Sequence, residues 1–506
     1  MASVTTLSRA PFERRGLAYW MERVVKELQH VRKAPETDAV HDLRVAIRRC
    51  RSVGAVMQEV DPDPAWRQMR TVPKKLFRRL GELRDAQVMD EWVRKLAPTN
   101  DSIRTQLHAV FAAQEPELRA RSLRAAERFE ERTWERLERK LRKRARFVAP
   151  GGLAAECLAV ERFEEARELH TRALRTDKSR AWHELRIGLK RLRYTVENLL
   201  PELYEAWSEN LKRLQDLLGE VHDLDVLAEM VKENVPPEMI DSHNAWEEII
   251  RHERGQRIET YRQLTLGKTS IWNDWRQGLP QGKRLTVAAM ARLRATARAT
   301  DPRPQGTAEI SRIAMASFDA LKRTHAAPVF GERPMRRILR AAIRLQRADR
   351  TYQTKSRRKA ALRFFSELPM PPSWTFEEWE LLAWTVRYRR GAEPSTDGGA
   401  FARLSEEQQR HVRALAGILR LARTLRKSGI DSGAGIRAEK SPEAVILHVP
   451  GLEDSAETAA RLAAGKHLLE TYLGKPLILK PAPKPDNVVA LLAQFQEHQV
   501  RAAASD

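Results

Sequence analysis

The strongest constraint on this chain is a helical sequence that it contains twice. Val40-His41-Asp42-Leu43-Arg44-Val45-Ala46-Ile47-Arg48-Arg49-Cys50-Arg51 is answered by Trp182-His183-Glu184-Leu185-Arg186-Ile187-Gly188-Leu189-Lys190-Arg191-Leu192-Arg193. His41, Arg44, Arg48, Arg49 and Arg51 meet His183, Arg186, Lys190, Arg191 and Arg193 at a constant separation of 142 residues. A second block, Gly81-Glu82-Leu83-Arg84-Asp85 with Val88, recurs 138 residues later as Gly219-Glu220-Val221-His222-Asp223 with Val226. Lys74 and Lys75 keep that second separation from Lys212 and Arg213. Two blocks in one order at nearly one spacing define an internal duplication.

On a helix, His41, Arg44, Arg48 and Arg51 fall at i, i+3, i+7 and i+10, which is one stripe. Leu43, Ile47, Cys50 and Gly54 form a neighbouring stripe, roughly 100° around the axis. The cations therefore lie beside the packed face instead of opposite it. Like charges at i, i+4 cost a helix about 0.2–0.5 kcal/mol per pair. Repeating that cost in both halves favours a polyanionic partner over a merely solvated basic face.

Composition points the same way. Of 506 residues, 91 are Lys or Arg against 68 acids, a net charge of +23. Such an excess calls for nucleic acid, an anionic membrane or a phosphate polymer. Two cysteines, Cys50 and Cys157, make neither a disulfide framework nor a zinc site, so a reducing cytoplasm is the expected compartment. No apolar run approaches the roughly 18 residues of a membrane span.

The expected fold is mainly α: two pseudo-symmetric helical bundles, then a second helical domain ending in a small α/β element. Residues 1–298 are read as the duplicated domain, with repeats at about 10–150 and 153–295. Helical spacing of Leu17, Trp20, Met21, Val24, Val25 and Leu28 opens the first repeat, and Asp61-Pro62-Asp63-Pro64 ends one helix and caps the next. Alternating Glu and Arg at 161–175 reads as a solvated helix. Residues 299–306 form a linker, 307–425 a helical domain, 426–484 an α/β subdomain with β-rich runs at Ala444–Val449 and Pro476–Leu479, and 485–506 a tail.

The duplicated His-x-x-Arg-x-x-x-Arg/Lys-x-x-Arg helix, followed by a basic helix and Gly-Glu-x-x-Asp-x-x-Val, resembles the CHAD family, the conserved-histidine α-helical domain, over about residues 10–295. The resemblance implies two helical bundles facing a central basic cavity that binds inorganic polyphosphate, and a place on polyphosphate granules. By position it points to His41, Arg44, Arg48, Arg51, Lys74, Arg78 and Arg84, and in the second half to His183, Arg186, Lys190, Arg193, Lys212 and His222. The copies differ, since Arg84 is matched by His222 and Arg78 by Asp216.

Residues 379–391 and 412–422 look like the C-terminal helical region of exopolyphosphatase/guanosine-pentaphosphate phosphohydrolase proteins, a likeness covering about 307–484. The positions of that family's His-Asp pair fall on Gln346 and Arg347, and those of its histidine cluster on Arg357, Arg358 and Lys359. The histidine before Arg390 is Arg389. The region therefore reads as a degenerate HD-like domain. Ligand positions have become cations, which implies a secondary anion site at Arg347, Arg357, Arg358, Lys359 and Arg389 without catalysis.

Polyphosphate carries about one negative charge per phosphate and presents no bases to read. A line of Arg and Lys suits it, with Arg bonding oxygens in pairs and Lys acting as a point charge. His41 and His183 are read as donors to phosphate, best when protonated. Asp85 and Asp223 are read as orienting neighbouring cations, and Gly81 and Gly219 as permitting close helix contact. No nucleophile–base arrangement, metal-spaced cluster or dinucleotide loop stands out, so no enzyme activity, cofactor or metal is expected. A non-specific nucleic-acid binder is the alternative reading, and a polyphosphate or nucleotide phosphohydrolase a weaker one.

Overall fold

The first repeat opens with α1 (Leu17–Lys33) and α2 (Thr37–Met57), followed by α3 (Pro64–Thr71), α4 (Lys74–Leu96), α5 (Ser102–Glu127) and α6 (Glu131–Arg144). The second runs through α7 (Leu153–Thr176), α8 (Ser179–Leu199), α9 (Pro201–Asn234), α10 (Ile240–Thr265), α11 (Ile271–Gln277) and α12 (Gly282–Thr300). The computed structural model describes residues 16–234, 239–352, 357–395 and 399–483. Its two compact units are Met1–Arg292 and Leu293–Asp506, a division that falls inside α12.

The duplication survives in the element boundaries. Helices α2 and α8 start and stop at positions 142 residues apart, and α5 and α10 at positions 138 apart. Helix α1 packs on α2 as α7 does on α8, and α4 on α5 as α9 does on α10. Leu43, Ile47, Cys50 and Gly54 are all buried, as the stripe requires. In α1 the buried set is Leu17, Met21, Val24, Glu27, Leu28 and Val31, with Trp20 and Val25 half-buried.

The copies meet through α2 against α8 and α4 against α9. Around the second contact, Met89, Trp92 and Val93 share a core with Leu107, Leu224, Leu227, Val231 and Trp246. Asp101, which caps α5 through the Arg104 amide (2.7 Å), also accepts from Trp246 Nε1 of the other copy (3.1 Å).

Where the copies differ, a proline decides. Pro73 precedes α4 and separates it from α3, because its ring removes a helical donor and restricts the preceding residue. Its counterpart 138 residues on is Leu211, buried in an uninterrupted α9. Asp63 then caps the separate α3, accepting from the Ala65 amide at 2.9 Å, with Pro64 in its first turn.

The second unit holds α13 (Thr307–Arg323), α14 (Arg333–Leu345), α15 (Arg357–Glu367), α16 (Phe376–Tyr388) and α17 (Glu406–Lys427). Helix α17 begins with a capping box formed by Ser405 and Gln408. The chain closes with β1 (Arg437–Lys440), β2 (Val445–Pro450), α18 (Ala456–Leu473) and β3 (Leu477–Ala482). β1 pairs antiparallel with β2, and β2 parallel with β3 across the α18 crossover. The fold is thus mainly α with a small α/β end. The expected tail at 485–506 lies outside the described residues.

The start of the Glu/Arg run at 161–175 departs from its expected solvated character. Glu161 is paired with Arg292, which is 1% exposed, and Arg162 bonds Glu59 and Glu165. Burial pushes the Glu161 carboxyl up to about 7 despite Arg292. These two charges are drawn inward by partners on α12 and just beyond α2, contacts that no local pattern encodes, while Arg167, Glu168, Arg172 and Arg175 are exposed as expected.

Candidate functional site: a cationic cluster between the two copies

The contact of α2 with α8 brings the two basic stripes together. Arg48 acts electrostatically on Arg44, on Arg186 and on Lys190, and Arg44 acts on Lys190 as well. Four cations from two copies therefore share one field, with Asp85 of α4 and Asp223 of α9 as their opposing charges. Asp85 Oδ1 stands 3.8 Å from Arg44 Nη2 and is itself solvent-exposed, at 74% of its side chain. Both aspartates sit beside cations, as the orienting role requires.

Local packing fixes the arginines. Phe77 of α4 lies under two of them, with Arg51 4.7 Å and Arg44 5.3 Å from its ring centroid. Arg49, the stripe's neighbour, bonds Glu197 of α8 between the rings of Trp20 and Tyr194, and so ties the copies together beside the cluster. A Cβ on Gly81 would stand 2.7 Å from Arg44 Nη1, so this glycine admits the guanidinium. Gly219 is different: nothing lies within 4 Å of a Cβ built there, so the expected close contact is absent in the second copy.

Several cationic nitrogens are left without acceptors. Arg44 Nη1, Arg48 Nε, Arg186 Nε and Arg193 Nε are buried and bond no protein group among the described residues. Burial and like charge lower Arg44 and Arg186 below the ordinary guanidinium range. The clearest effect is on Lys190, which burial first and then Arg186 and Arg48 bring down to about 7. An unmet donor beside a crowded cation favours an incoming anion on both counts.

The histidines do not form a matched pair. His41 is exposed near the start of α2, whereas His183 faces His222, with their Nδ1 atoms 3.3 Å apart. Burial and Arg186 lower both, His222 to about 4. Both lowered rings are neutral at neutral pH, so of the two histidines read as donors His183 meets an anion unprotonated in the free protein. The cause is local: where the first copy has Arg84, the second has His222, whose ring lies tilted against that of His183.

The remaining expected residues ring the cluster with less burial. Arg193 donates to Gln215 at 3.0 Å, Arg84 pairs with Glu91 at 3.2 Å, and Arg78 stands 3.8 Å from Glu82. Lys74 and Lys212 are exposed at matching positions of α4 and α9.

In the second unit, two of the residues read as anion contacts are held by acids. Arg389 Nη2 bonds Asp349 at 2.7 Å, with both side chains nearly inaccessible, and Arg347 bonds Asp301 at 3.2 Å. Gln346 accepts from Arg423 at 2.6 Å. Lys359 is exposed, and the side chains of Arg357 and Arg358 lie outside the described residues. Glu332, Glu407 and His411 bring potential metal-ligand atoms within 4.8 Å of one another, with His411 Nε2 bonded to Glu332 at 3.1 Å. The i, i+4 spacing of Glu407 and His411 was visible in the sequence, but Glu332 comes from another helix start.

A solved CHAD domain from the plant Ricinus communis is 19% identical to this chain, with 52% of this chain and 88% of that chain covered and a TM-score of 0.35. No curated protein matches the chain. Residues 17–232, which run from α1 nearly to the end of α9 and include the whole cationic cluster, match the CHAD domain family, and the chain carries a CHAD domain there.

Proposed function

We propose that the first unit binds inorganic polyphosphate, without catalysis, at the cluster where α2 meets α8. One observation carries this reading: Arg44, Arg48, Arg186 and Lys190 converge from both copies, and buried guanidinium nitrogens among them have no acceptor. A chain of phosphates supplies oxygens for those donors and charge for those cations along one line, with no base for the site to recognise. Such a protein collects wherever the polymer accumulates, polyphosphate granules included.

A filter-binding titration with long-chain polyphosphate and competing RNA tests the reading. Charge-assisted bonds contribute roughly 1.5–3 kcal/mol each, so replacing Arg44, Arg48, Arg186 and Lys190 with Ala lowers affinity at least about a hundredfold with helicity retained. Binding also weakens steeply with salt, as counterion release demands. RNA outcompeting polyphosphate, or affinity surviving the fourfold change, overturns it.

A further inference from the structure

The second unit contains a group of cations that the first-unit site does not use. Arg294 and Arg298 lie four residues apart on α12, and Arg340 and Arg344 four apart on α14. Residues at i and i+4 share a helix face, so each helix offers a pair. The three charges that act on Arg344 are Arg294, Arg340 and Arg298, all positive, and with burial they bring its guanidinium down to about 10. Arg344 Nη1 is buried and bonds no protein group among the described residues.

The contrast with neighbouring arginines makes this group unusual. On the same helix, Arg336 is bonded by Asp319 at 2.8 and 2.9 Å, and Arg337 by Glu378. Just beyond it, Arg347 is bonded by Asp301 at 3.2 Å. Among the described residues, no carboxylate pairs with Arg294, Arg298 or Arg344. Gathering three like charges around the buried Arg344 donor is unfavourable for the fold alone. A bound anion removes both penalties, supplying an acceptor for Arg344 Nη1 and countercharge for Arg294, Arg298 and Arg344.

We propose that Arg294, Arg298, Arg340 and Arg344 form a second anion site, in the second unit, for a compact multivalent phosphoryl group. The fork of each guanidinium fits paired phosphate oxygens, and two pairs of cations suit an anion of more than one negative charge. This site goes beyond the polyphosphate reading and does not rest on it.

The test titrates the full chain calorimetrically with inorganic pyrophosphate at constant ionic strength, in a background carrying Arg48→Ala and Lys190→Ala to disable the first-unit cluster. Saturable binding persists there and weakens at least about tenfold in Arg298→Gln/Arg344→Gln, as expected when charge-assisted bonds to phosphate are lost. Arg294→Gln/Arg298→Gln alters only exposed side chains, so it gives the same loss even if replacing Arg344 disturbs folding. The site is refuted if the background shows no saturable pyrophosphate binding, if both patch variants bind as the background does, or if sulfate binds as tightly. Failure of the first-unit reading is seen separately, as long-chain polyphosphate affinity that Arg48→Ala/Lys190→Ala leaves unchanged.

Discussion

His183 and His222 face one another through Nδ1 atoms 3.3 Å apart, with ring centroids separated by 4.6 Å. Such a contact requires one donor and one acceptor, so the accepting ring is neutral, and when both rings are neutral they are opposite tautomers. Burial lowers His222 from 6.5 to about 4, and lowers His183 too. Between pH 6.5 and 4 the unfolded chain thus binds more protons, and stability falls as pH drops through that window. His222→Asn will flatten part of that decline, leaving the share of His170, which burial also lowers to about 4. Thermal unfolding measured across this range checks it, and identical slopes for the two proteins refute it.

Lys190 gives a prediction of opposite sense. Its ammonium titrates at about 7 in the free protein against 10.5 in an unfolded chain. A bound polyanion restores the higher value, so binding takes up a proton, and affinity falls as pH rises above 7. Calorimetry at mildly alkaline pH in two buffers of different ionisation enthalpy will show the uptake, and Lys190→Met will abolish it.

The same substitution separates stability from function. Replacing a crowded, half-buried cation with an apolar side chain of similar length removes like-charge repulsion. Lys190→Met is expected to stabilise the unliganded fold by ~1 kcal/mol while weakening polyphosphate binding. Denaturant unfolding and filter binding on the same preparation report the two effects.

The two glycines will respond differently. Gly219→Ala meets open space and gains helix propensity, up to about 1 kcal/mol, with binding unchanged. Gly81→Ala places a methyl 2.7 Å from Arg44 Nη1, at the far end of a side chain that can move. Its main effect is therefore displacement of that guanidinium, read as weaker binding with little change in melting temperature.

Asp61 is the structural counterpart of the site cations. Its buried carboxylate accepts from Arg144 at 2.5 and 2.6 Å, from Trp66 Nε1 at 2.7 Å and from the Asp63 amide at 3.1 Å. Asp61→Ala leaves that guanidinium without its buried partner and is expected to cost about 3–5 kcal/mol. Equilibrium unfolding measures it.

Much of this was legible in the sequence because periodicity encodes faces. The stripe of His41, Arg44, Arg48 and Arg51 beside Leu43, Ile47 and Cys50 already placed the cations next to a helix contact, and the repeat identified the partner helix. Neutralisation was not legible. Glu161 meets Arg292 across 131 residues, and Arg389 meets Asp349 across 40, pairings that only tertiary packing makes. Strand β1 escaped notice because Arg437-Ala438-Glu439-Lys440 is polar and is a strand only by pairing with β2. His222 hid its role because Arg84, its counterpart, suggested another donor where the fold has a neutral ring facing His183.

One interruption divides the copies mechanically. With Leu211 where the first copy has Pro73, α9 becomes a single rod of 34 residues, about 51 Å long at 1.5 Å per residue. At one end Trp207 stacks on Trp275, and further along the same rod stand His222 and Asp223. In the first copy the break gives α3 its own anchor, Trp66 bonded to Asp61, and leaves Arg84 and Asp85 on the separate helix α4, so only in the second copy do the stacked tryptophan and the site residues share one uninterrupted backbone.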